Sequence, residues 1–306
     1  MKKKLLIIAG PTAVGKTSFS IECAKKFNGE IISADSIQIY KHLNIGSAKV
    51  TKEEMQGVPH HLIDVVSPDE EFSVSLFSEM AREKIDEITS RGKLPVLVGG
   101  TGLFIKSILY PMSFGESDKD IYVRQKWEKF LEENGVDALW NELYKIDKES
   151  AINIEKNNTR RVIRAIEIFE LTGKKKSEQN DFEKQSDYDY YLVFLTDDRQ
   201  KIYDNINKRV DIMFDNGLVK EVEDVVKKYN LNRDSQSMQG IGYKEFFDYF
   251  DGKITLEEVK EKIKVSSRHY AKRQFTFFKG FEGVIFLNKD NMDFNLNQIE
   301  NFLNRN

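Results

Sequence analysis

The segment from Gly10 to Thr17 (GPTAVGKT) constrains the fold more than any other part of this 306-residue chain. It follows a continuous apolar run, Leu5 to Ala9, of the kind that fills a buried parallel strand. A helical pattern begins directly after it. A strand, a glycine-rich turn ending in Gly-Lys-Thr and a helix together form a P-loop. The sequence therefore predicts an α/β domain with a phosphate-binding site at its first turn.

The residue types of this turn indicate how it would bind phosphate. Glycines let backbone N–H groups approach phosphate oxygens closely, and the N-terminus of the following helix favours an anion. Lys16 adds a positive charge, and the hydroxyl of Thr17 suits the coordination shell of a Mg²⁺ ion. The predicted phosphate or diphosphate site comprises Gly10, Pro11, Thr12, Ala13, Val14, Gly15, Lys16 and Thr17. The motif does not identify the molecule that carries the phosphates.

Short apolar runs alternate with helical patterns through the first hundred residues, which indicates βαβ units around a parallel sheet. Further strands are predicted at residues 30–35, 62–66, 94–98, 190–195 and 284–287. From about residue 113 the pattern becomes helical and highly charged, with no convincing strand. We therefore expect a P-loop α/β catalytic core, formed by residues 1–112 and 185–306, and a mostly helical insertion domain, formed by residues 113–184.

The composition is that of a globular protein, with 40% hydrophobic and 32% charged residues. No apolar run reaches the length of a membrane span, and the single cysteine, Cys23, excludes an internal disulfide and a multi-cysteine zinc site. Cys23 itself is expected to be buried and inert. We expect a cytoplasmic protein that has no membrane partner and acts as a monomer.

The net charge of −3 conceals an uneven distribution. Residues 157–176 sum to +4 and residues 260–280 to +6, so the rest of the chain sums to −13. Two basic segments on an acidic body can guide a polyanion into one groove, whereas the net charge alone argues against such a partner.

Two further stretches follow predicted strands, where open α/β folds bind ligands: Asp35 to Tyr40 (DSIQIY) and Gly99 to Phe104 (GGTGLF). A third, Gly240 to Tyr243, precedes the long basic helix. Together with the P-loop, these stretches resemble the tRNA dimethylallyltransferases, also called tRNA isopentenyltransferases. The resemblance runs through nearly the whole chain, including residues 35–48, 59–64, 160–167, 238–245 and 272–279.

The resemblance implies an activity and a set of partners. The P-loop would hold the diphosphate of dimethylallyl diphosphate rather than a nucleoside triphosphate. The dimethylallyl group would pass to the exocyclic N6 amine of the adenosine just 3′ of the anticodon, with release of diphosphate. The expected partners are therefore dimethylallyl diphosphate and the anticodon stem-loop of tRNA, and the expected cofactor is Mg²⁺.

The resemblance also implies roles for single residues. Asp35 matches the carboxylate that takes the proton of the adenine amine as the C–N bond forms. Thr101 and Arg209 match residues near the diphosphate or the reacting adenine, and Arg124 matches a tRNA contact. The residues alone leave alternatives open, because Asp35 could cap the strand end or join a Mg²⁺ shell, and Thr101 could cap a helix.

Recognition of tRNA requires groups for base edges, stacking and phosphates, because a base in the anticodon loop must be extruded to react. Gln38 suits a base edge, and the spacing of Arg160, Arg161 and Arg164 puts them on one helix face, suited to phosphates. In residues 272–279 basic and aromatic side chains alternate, although some of the phenylalanines could be core residues. The predicted tRNA-binding set is Asp35, Ser36, Ile37, Gln38, Thr101, Arg124, Arg160, Arg161, Arg164, Gln239, Gly242, Tyr243, Lys272, Arg273 and Phe277.

The chain departs from the family pattern at three places. Asn157-Asn158-Thr159 stands where Asn-Asp-Pro is usual, Asn205 where an arginine is common, and Phe277 where a tryptophan is usual. The first departure concerns how a helix begins. The second leaves Arg209 without an arginine at position 205, and the third keeps stacking but loses an indole donor.

Three other functions share the P-loop. A small-molecule P-loop kinase would explain the phosphate site but not the combination of Gln38, Thr101 and the basic helix. A nucleotide-dependent switch would need a hydrolysis apparatus that the sequence does not display. An adenylate prenyltransferase that modifies free nucleotides would have little use for the helical insertion. The adjacent His60 and His61 are not expected to bind a metal, because neighbouring histidines rarely converge on one ion.

Overall fold

The computed structural model describes residues 2–110, 121–178 and 185–305. Its strands are β1 (Lys3–Ala9), β2 (Gly29–Ser33), β3 (His60–His61), β4 (Leu94–Gly99), β5 (Tyr188–Thr196) and β6 (Ile285–Asn288). They form one sheet in the order β3-β2-β4-β1-β5-β6, and every neighbouring pair is parallel. The α/β fold with a parallel sheet is confirmed.

The described part of the chain contains twelve α-helices. They are α1 (Lys16–Lys26), α2 (Lys52–Met55), α3 (Val74–Ser90), α4 (Gly102–Leu109), α5 (Ile121–Ile146), α6 (Lys148–Asn153), α7 (Thr159–Thr172), α8 (Arg199–Asp215), α9 (Leu218–Tyr229), α10 (Phe246–Phe250), α11 (Leu256–Phe278) and α12 (Met292–Leu303). Helix α5 is interrupted at Gly135, whose φ of 80° is not helical. None of these helices combines the length and the apolar character needed to cross a bilayer.

The contacts within the chain divide it into two compact units. The core unit consists of Met1–Leu109 and Asp187–Asn306, and the insertion unit consists of Tyr110–Ser186. The insertion unit contains α5, α6 and α7, which pack around buried side chains such as Trp127, Leu139 and Ile166. The domain boundaries predicted after residues 112 and 184 lie outside the described ranges.

The central strand β1 is fully buried from Leu5 to Ala9 because it has a strand on either side and helices across its faces. On one face its alternate side chains Leu6 and Ile8 share an apolar cluster with Phe19 of α1 and Phe302 of α12. Cys23 lies in the same cluster, and burial raises the pKa of its thiol to about 12. The prediction that Cys23 is buried is confirmed.

Parallel pairing brings the ends of three strands to one edge of the sheet. The P-loop follows β1, Asp35 follows β2 and Thr101 follows β4, which lies between the other two. The backbone of this edge is very tightly packed. A Cβ added to Gly99, the last residue of β4, would lie only 2.1 Å from the carbonyl oxygen of Ala34, so only glycine fits there.

The strand predicted at residues 62–66 is wrong. The third strand ends at His61, and the chain then turns because Leu62 and Asp64 adopt left-handed conformations, with φ of 59° and 55°. Only Val66 pairs again, through an isolated bridge to Tyr40. The apolar side chains of this segment therefore pack as a turn.

Polar side-chain contacts hold His61 beside this turn and also begin two helices, α7 and α11. Nε2 of His61 lies 2.7 Å from the Glu30 carboxylate, and the described residues contain no group of three or more potential metal ligands among His, Cys, Asp and Glu. Asn158 caps α7 by accepting a hydrogen bond from the N–H of Arg161 at 3.4 Å. A capping box of Thr255 and Glu258 begins α11.

Substitution of Gly99 tests how tightly this edge is packed. We expect Gly99→Ala to lower the free energy of unfolding by about 3 kcal/mol, because the backbone of Ala34 has to move away from the new methyl group. The measurement is urea unfolding followed by circular dichroism. The matched control is Gly280→Ala, where the nearest atom would be 3.4 Å away and the expected change is within about 0.5 kcal/mol. Equal stabilities of the two variants would contradict the packing argument.

Candidate active site

The P-loop forms a turn that leads directly into α1. Gly15 caps this helix in a left-handed conformation, with φ of 96°, and Ala13 is also left-handed, with φ of 63°. Left-handed residues within such a turn are typical of loops whose successive N–H groups converge on an anion. The amine of Lys16 donates hydrogen bonds to the carbonyls of Gly10 at 3.0 Å and Pro11 at 2.8 Å. The charge of Lys16 is thereby held against the turn.

A second cation, Arg209 of α8, reaches the same turn. Its Nη2 donates to the hydroxyl of Thr12, while its buried Nε has no hydrogen-bond partner in the described part of the chain. Burial lowers the pKa of Lys16 to about 8, and the charge of Arg209 lowers it too. Burial also lowers the pKa of Arg209 to about 10. The nearby Asp35 carboxylate acts in the opposite direction on both groups.

The two oxygens of Asp35 have different surroundings. Oδ1 accepts hydrogen bonds from the N–H groups of Ile37 at 2.9 Å and Gln38 at 3.2 Å, which stabilises the turn after β2. Oδ2 accepts no hydrogen bond from any described residue. The strand-end cap that the sequence left open is therefore present, and it leaves one carboxylate oxygen available for another partner.

Thr101 joins two of the loops at this edge of the sheet. Its backbone carbonyl accepts hydrogen bonds from Phe104 and Ile105 in the first turn of α4. Its hydroxyl oxygen instead accepts the N–H of Ser36 at 3.2 Å. The side chain of Thr101 thus ties the loop after β4 to the loop that carries Asp35.

Two cavities meet at Asp35. The cradle cavity, about 370 Å³, is lined by P-loop residues together with Asp35, Gln38, Asn205, Arg209 and Tyr270. The side cavity, about 390 Å³, has a wall of apolar side chains and several polar groups, among them Ile37, Tyr40, Val210, Met213, Ile241, Ile263, Gln236, Gln239, Lys244 and Arg273. Thr12, Asp35, Ser47, Arg209 and Tyr270 line both. A carboxylate and a cation therefore stand at the junction between a phosphate-binding turn and a second, partly apolar space.

Two residues of α11 that were not predicted from the sequence also belong to the site. Gln274 is 4% exposed, accepts the N–H of Thr12 at 3.0 Å and donates to the carbonyl of Gly100 at 3.0 Å. The hydroxyl of Tyr270 donates to the same carbonyl at 3.2 Å, and burial raises its pKa to about 12. These two residues fix the P-loop to the loop after β4. Their spacing of four residues, which puts them on one helix face, is the signal that could have revealed them.

The predicted base-edge residue Gln38 is partly engaged within the protein. Its side-chain amide donates to the carbonyls of Ser47 and Ala48, both at 3.2 Å, so its own carbonyl oxygen is the group available to a ligand. Gln239 lines the side cavity while donating to the carbonyl of Arg233. The side chain of Gln38 therefore offers a ligand a hydrogen-bond acceptor only.

Two residues of the predicted tRNA-binding set are packed inside the core unit. Tyr243 is completely buried and donates its hydroxyl to Glu221 at 2.8 Å. Gly242 is buried too, and its N–H donates to Glu245 at 2.9 Å. Both residues shape the loop beside the side cavity, and the structure does not present the Tyr243 side chain at the surface.

The aromatic residues of α11 divide between core and surface. Phe278 is fully buried against Phe194, so the core interpretation is confirmed for this residue. Phe277 is 42% exposed and covers Gly102, where an added Cβ would lie 2.2 Å from its ring. An aromatic face of Phe277 thus stays accessible at the loop after β4.

The positive charge of the segment 260–280 is partly neutralised. Lys260 and Lys264 both pair with Asp211 at 2.9 Å, and Lys262 pairs with Asp248 at 3.1 Å. In contrast, Lys272 and Arg273 are exposed and have no carboxylate partner among the described residues. The basic surface of α11 is therefore concentrated in its C-terminal half.

The arginines of the insertion unit also differ in availability. Arg124 and Arg164 both contact the buried carboxylate of Glu167, at 3.5 Å and 3.3 Å. Arg160 and Arg161, at the start of α7, are exposed and form no ion pair with a described residue. Of the four predicted contacts in this unit, Arg160 and Arg161 carry the least neutralised charge.

Comparison with known proteins identifies the family of the chain. A family model described as IPP transferase matches residues 38–281, and one described as Isopentenyl transferase matches residues 3–67. The chain is 52% identical over 282 residues to a tRNA dimethylallyltransferase of Bacillus cereus (strain ATCC 10987), covering 91% of this chain and 87% of that protein. A protein of the same name from Bacillus anthracis is also 52% identical over 282 residues, covering 91% and 88%.

Solved structures give the same result. The tRNA isopentenylpyrophosphate transferase of Bacillus halodurans superposes with a TM-score of 0.73 at 45% identity, covering 99% of this chain and 96% of that one. A eukaryotic dimethylallyltransferase acting on tRNA superposes with a TM-score of 0.82 at 31% identity, covering 97% and 77%. The similarity thus includes the core and the insertion.

The lowered pKa of Lys16 predicts a pH dependence of anion binding. Protonated Lys16 binds an anion and the neutral amine does not, so the affinity for inorganic pyrophosphate falls as the pH rises through about 8. We expect a loss of about tenfold between about pH 7 and about pH 9, measured by isothermal titration calorimetry. Lys16→Met supplies the control, because its remaining pH dependence belongs to pyrophosphate itself. Parallel profiles for the two proteins would show that Lys16 does not titrate in this range.

Proposed function

The chain belongs to the tRNA dimethylallyltransferase family, and from this we propose that it transfers the dimethylallyl group of dimethylallyl diphosphate to the N6 amine of the adenosine 3′ to the tRNA anticodon. The observation that carries this assignment of substrates is the junction of the two cavities at Asp35 and Arg209. A diphosphate in the cradle cavity and a base in the side cavity would meet there. The family expected from the sequence is confirmed.

Asp35 is proposed as the general base. As the bond forms between N6 and the first carbon of the dimethylallyl group, the bond from that carbon to the diphosphate oxygen breaks and the diphosphate leaves with the electron pair. N6 must lose a proton, and the free Oδ2 of Asp35 can take it, while Oδ1 keeps its two backbone hydrogen bonds. Apolar neighbours such as Ile37 and Met213 limit the water that could otherwise capture an allyl cation.

The leaving diphosphate is proposed to be stabilised by the P-loop, Lys16 and Arg209. Its negative charge increases as the bond to carbon breaks, so nearby cations and N–H groups lower the energy of the transition state more than that of the ground state. Lys16 and Arg209 are held at the turn through hydrogen bonds within the protein. The site therefore needs little reorganisation to receive the charge.

Mg²⁺ is proposed as the cofactor, with Thr17 as its protein ligand. Thr17 is exposed at the start of α1, and its hydroxyl forms no hydrogen bond with a described residue. Since the described residues offer no cluster of three ligating side chains, the phosphate oxygens would supply most of the coordination, as is usual for Mg²⁺. When bound, the ion neutralises part of the charge of the diphosphate.

The tRNA anticodon stem-loop is proposed as the acceptor. Arg160 and Arg161 in the insertion, together with Lys272 and Arg273 on α11, supply charges suited to the phosphate backbone. The carbonyl oxygen of Gln38 is suited to an amino group on a base edge. We propose that the predicted insertion, residues 113–184, contacts tRNA and that the enzyme acts as a cytoplasmic monomer.

The test is a transfer assay with purified protein, Mg²⁺, dimethylallyl diphosphate and an unmodified anticodon stem-loop. Mass spectrometry of the digested RNA should find one adenosine heavier by a dimethylallyl group, at the position 3′ to the anticodon. Modification of AMP but not of RNA would favour an adenylate prenyltransferase. Phosphorylation of a metabolite with ATP would favour a kinase, and either result would refute the proposed function.

Asp35→Asn separates the two roles of this side chain. The amide oxygen of asparagine can still accept the N–H groups of Ile37 and Gln38, so the turn is retained, but asparagine cannot take a proton. We expect kcat for transfer to the stem-loop to fall by about 10²–10⁴-fold, with binding of the stem-loop retained. Steady-state kinetics and fluorescence anisotropy measure the two quantities. Near-normal turnover would leave Asp35 only its capping role.

A further inference from the structure

One carboxylate outside the proposed catalytic groups collects four hydrogen bonds. Glu221 of α9 accepts the N–H groups of Asn44 at 2.9 Å and Ile45 at 2.7 Å on Oε2. Its Oε1 accepts the N–H of Gly46 at 3.1 Å and the hydroxyl of Tyr243 at 2.8 Å. Three consecutive backbone N–H groups around one anion form a nest, which requires a negative charge for full stability.

Steric packing fixes the same loop from the other side. A Cβ added to Gly46 would lie 2.5 Å from Cζ of Tyr243, so the buried ring rests directly on the loop backbone. A Cβ added to Gly242 would lie 3.2 Å from the carbonyl oxygen of Gly46. Burial and the neighbouring Glu221 raise the pKa of Tyr243 well above its usual value, so its hydroxyl remains a donor to that carboxylate. Loop 44–48 is thus held by charge and by close contact together.

Loop 44–48 is connected to Asp35 through hydrogen bonds of Gln38. The carbonyls of Ser47 and Ala48 hold the side-chain amide of Gln38, and the N–H of Gln38 donates to Asp35. Gly46 and Ser47 also line the side cavity. A displacement of loop 44–48 would therefore turn the free carbonyl oxygen of Gln38 and reshape the cavity beside Asp35.

We propose that Glu221 is a positioning residue for the acceptor base: it holds loop 44–48, which lines the side cavity through Gly46 and Ser47 and fixes Gln38 beside Asp35, where the two cavities meet. The inference rests on the proposed function, because it concerns binding of the base rather than of the diphosphate. Glu221 touches neither the P-loop nor Lys16 by any hydrogen bond in the described structure. Its effect should therefore appear in the use of RNA and not in the binding of diphosphate.

The test is a double-mutant cycle with Glu221→Gln and Gln38→Leu. Glutamine keeps the size of the side chain but replaces an acceptor oxygen with an N–H₂ group that opposes the loop amides. We expect kcat/KM for the anticodon stem-loop to fall about 10- to 100-fold, with the affinity for inorganic pyrophosphate within about twofold of wild type. Since Glu221 acts through Gln38, the double variant should lose little more than the more damaged single variant.

Two further variants make the test specific. Glu223→Gln changes an exposed carboxylate on the same helix and should leave kcat/KM within about twofold of wild type. Tyr243→Phe removes one of the four hydrogen bonds but keeps the ring on Gly46, so a loss of a few fold in the same direction is expected. This milder change provides the measurement if Glu221→Gln does not fold.

Losses that multiply in the double variant would overturn the inference, because Glu221 and Gln38 would then act independently. A matching loss of pyrophosphate affinity would also overturn it, since the damage would be general. A wild-type protein that does not modify the stem-loop would refute the proposed function and this inference together. If the wild-type protein modifies the stem-loop and the losses multiply, only the role of Glu221 is refuted.

Discussion

The site depends first on how closely backbone segments approach one another at the carboxyl edge of the sheet. Parallel pairing of β1, β4 and β2 brings three loops to the same edge, but side chains at Gly99 or Gly100 would separate them. A Cβ at Gly99 would lie 2.1 Å from the Ala34 carbonyl oxygen, and one at Gly100 would lie 2.1 Å from the amide nitrogen of Gln274. The absence of a side chain at both positions lets Thr101 reach Ser36 and lets Gln274 join the P-loop to the next loop. The close packing of the backbone at this edge is therefore what brings the functional side chains together.

The second constraint is the free-energy cost of burying charge, and the close packing at this edge increases that cost. Bringing Lys16 and Arg209 to one tightly packed turn removes them from water, and burial lowers the pKa of both. The Asp35 carboxylate offsets part of this cost. A diphosphate would offset more of it, so the unfavourable burial of two cations becomes favourable binding of an anion. Hydrogen bonds within the protein fix both cations at this turn, and fixed positive charge is the property that makes electrostatic stabilisation effective in catalysis.

Much of this architecture could be predicted because local sequence patterns determine it. A continuous apolar run marks β1, a Gly-Lys-Thr turn marks the P-loop, and a threonine three residues before a glutamate marks the start of α11. The error at residues 62–66 has a physical reason. Leu62 and Asp64 adopt left-handed conformations, which are uncommon for residues other than glycine, and an apolar pattern carries no information about them.

Tyr270 and Gln274 were not predicted as site residues, and the positive charge of residues 260–280 was overstated. Both errors have the same cause, because both features depend on contacts between distant parts of the chain. The spacing of Tyr270 and Gln274 indicates a shared helix face, but it does not say which loop that face meets, and Gln274 contacts a residue 262 positions away. A local count of +6 on residues 260–280 ignores Asp211, which lies on another helix and pairs with two of the lysines. Pairing partners far away in sequence decide which charges are free, and only a structure supplies them.

Asp35 and Gln38 share one property: each uses one side-chain atom for structural hydrogen bonds and leaves another atom free. Asp35 uses Oδ1 to hold its turn and keeps Oδ2 free, and Gln38 uses its amide nitrogen on loop 44–48 and keeps its carbonyl oxygen free. Each group is thus fixed by one atom and can react or recognise through the other. A freely rotating side chain would lose conformational entropy on meeting its ligand, whereas these two have already lost it on folding. These hydrogen bonds therefore fix the positions of the two free atoms, Oδ2 of Asp35 and the side-chain carbonyl oxygen of Gln38.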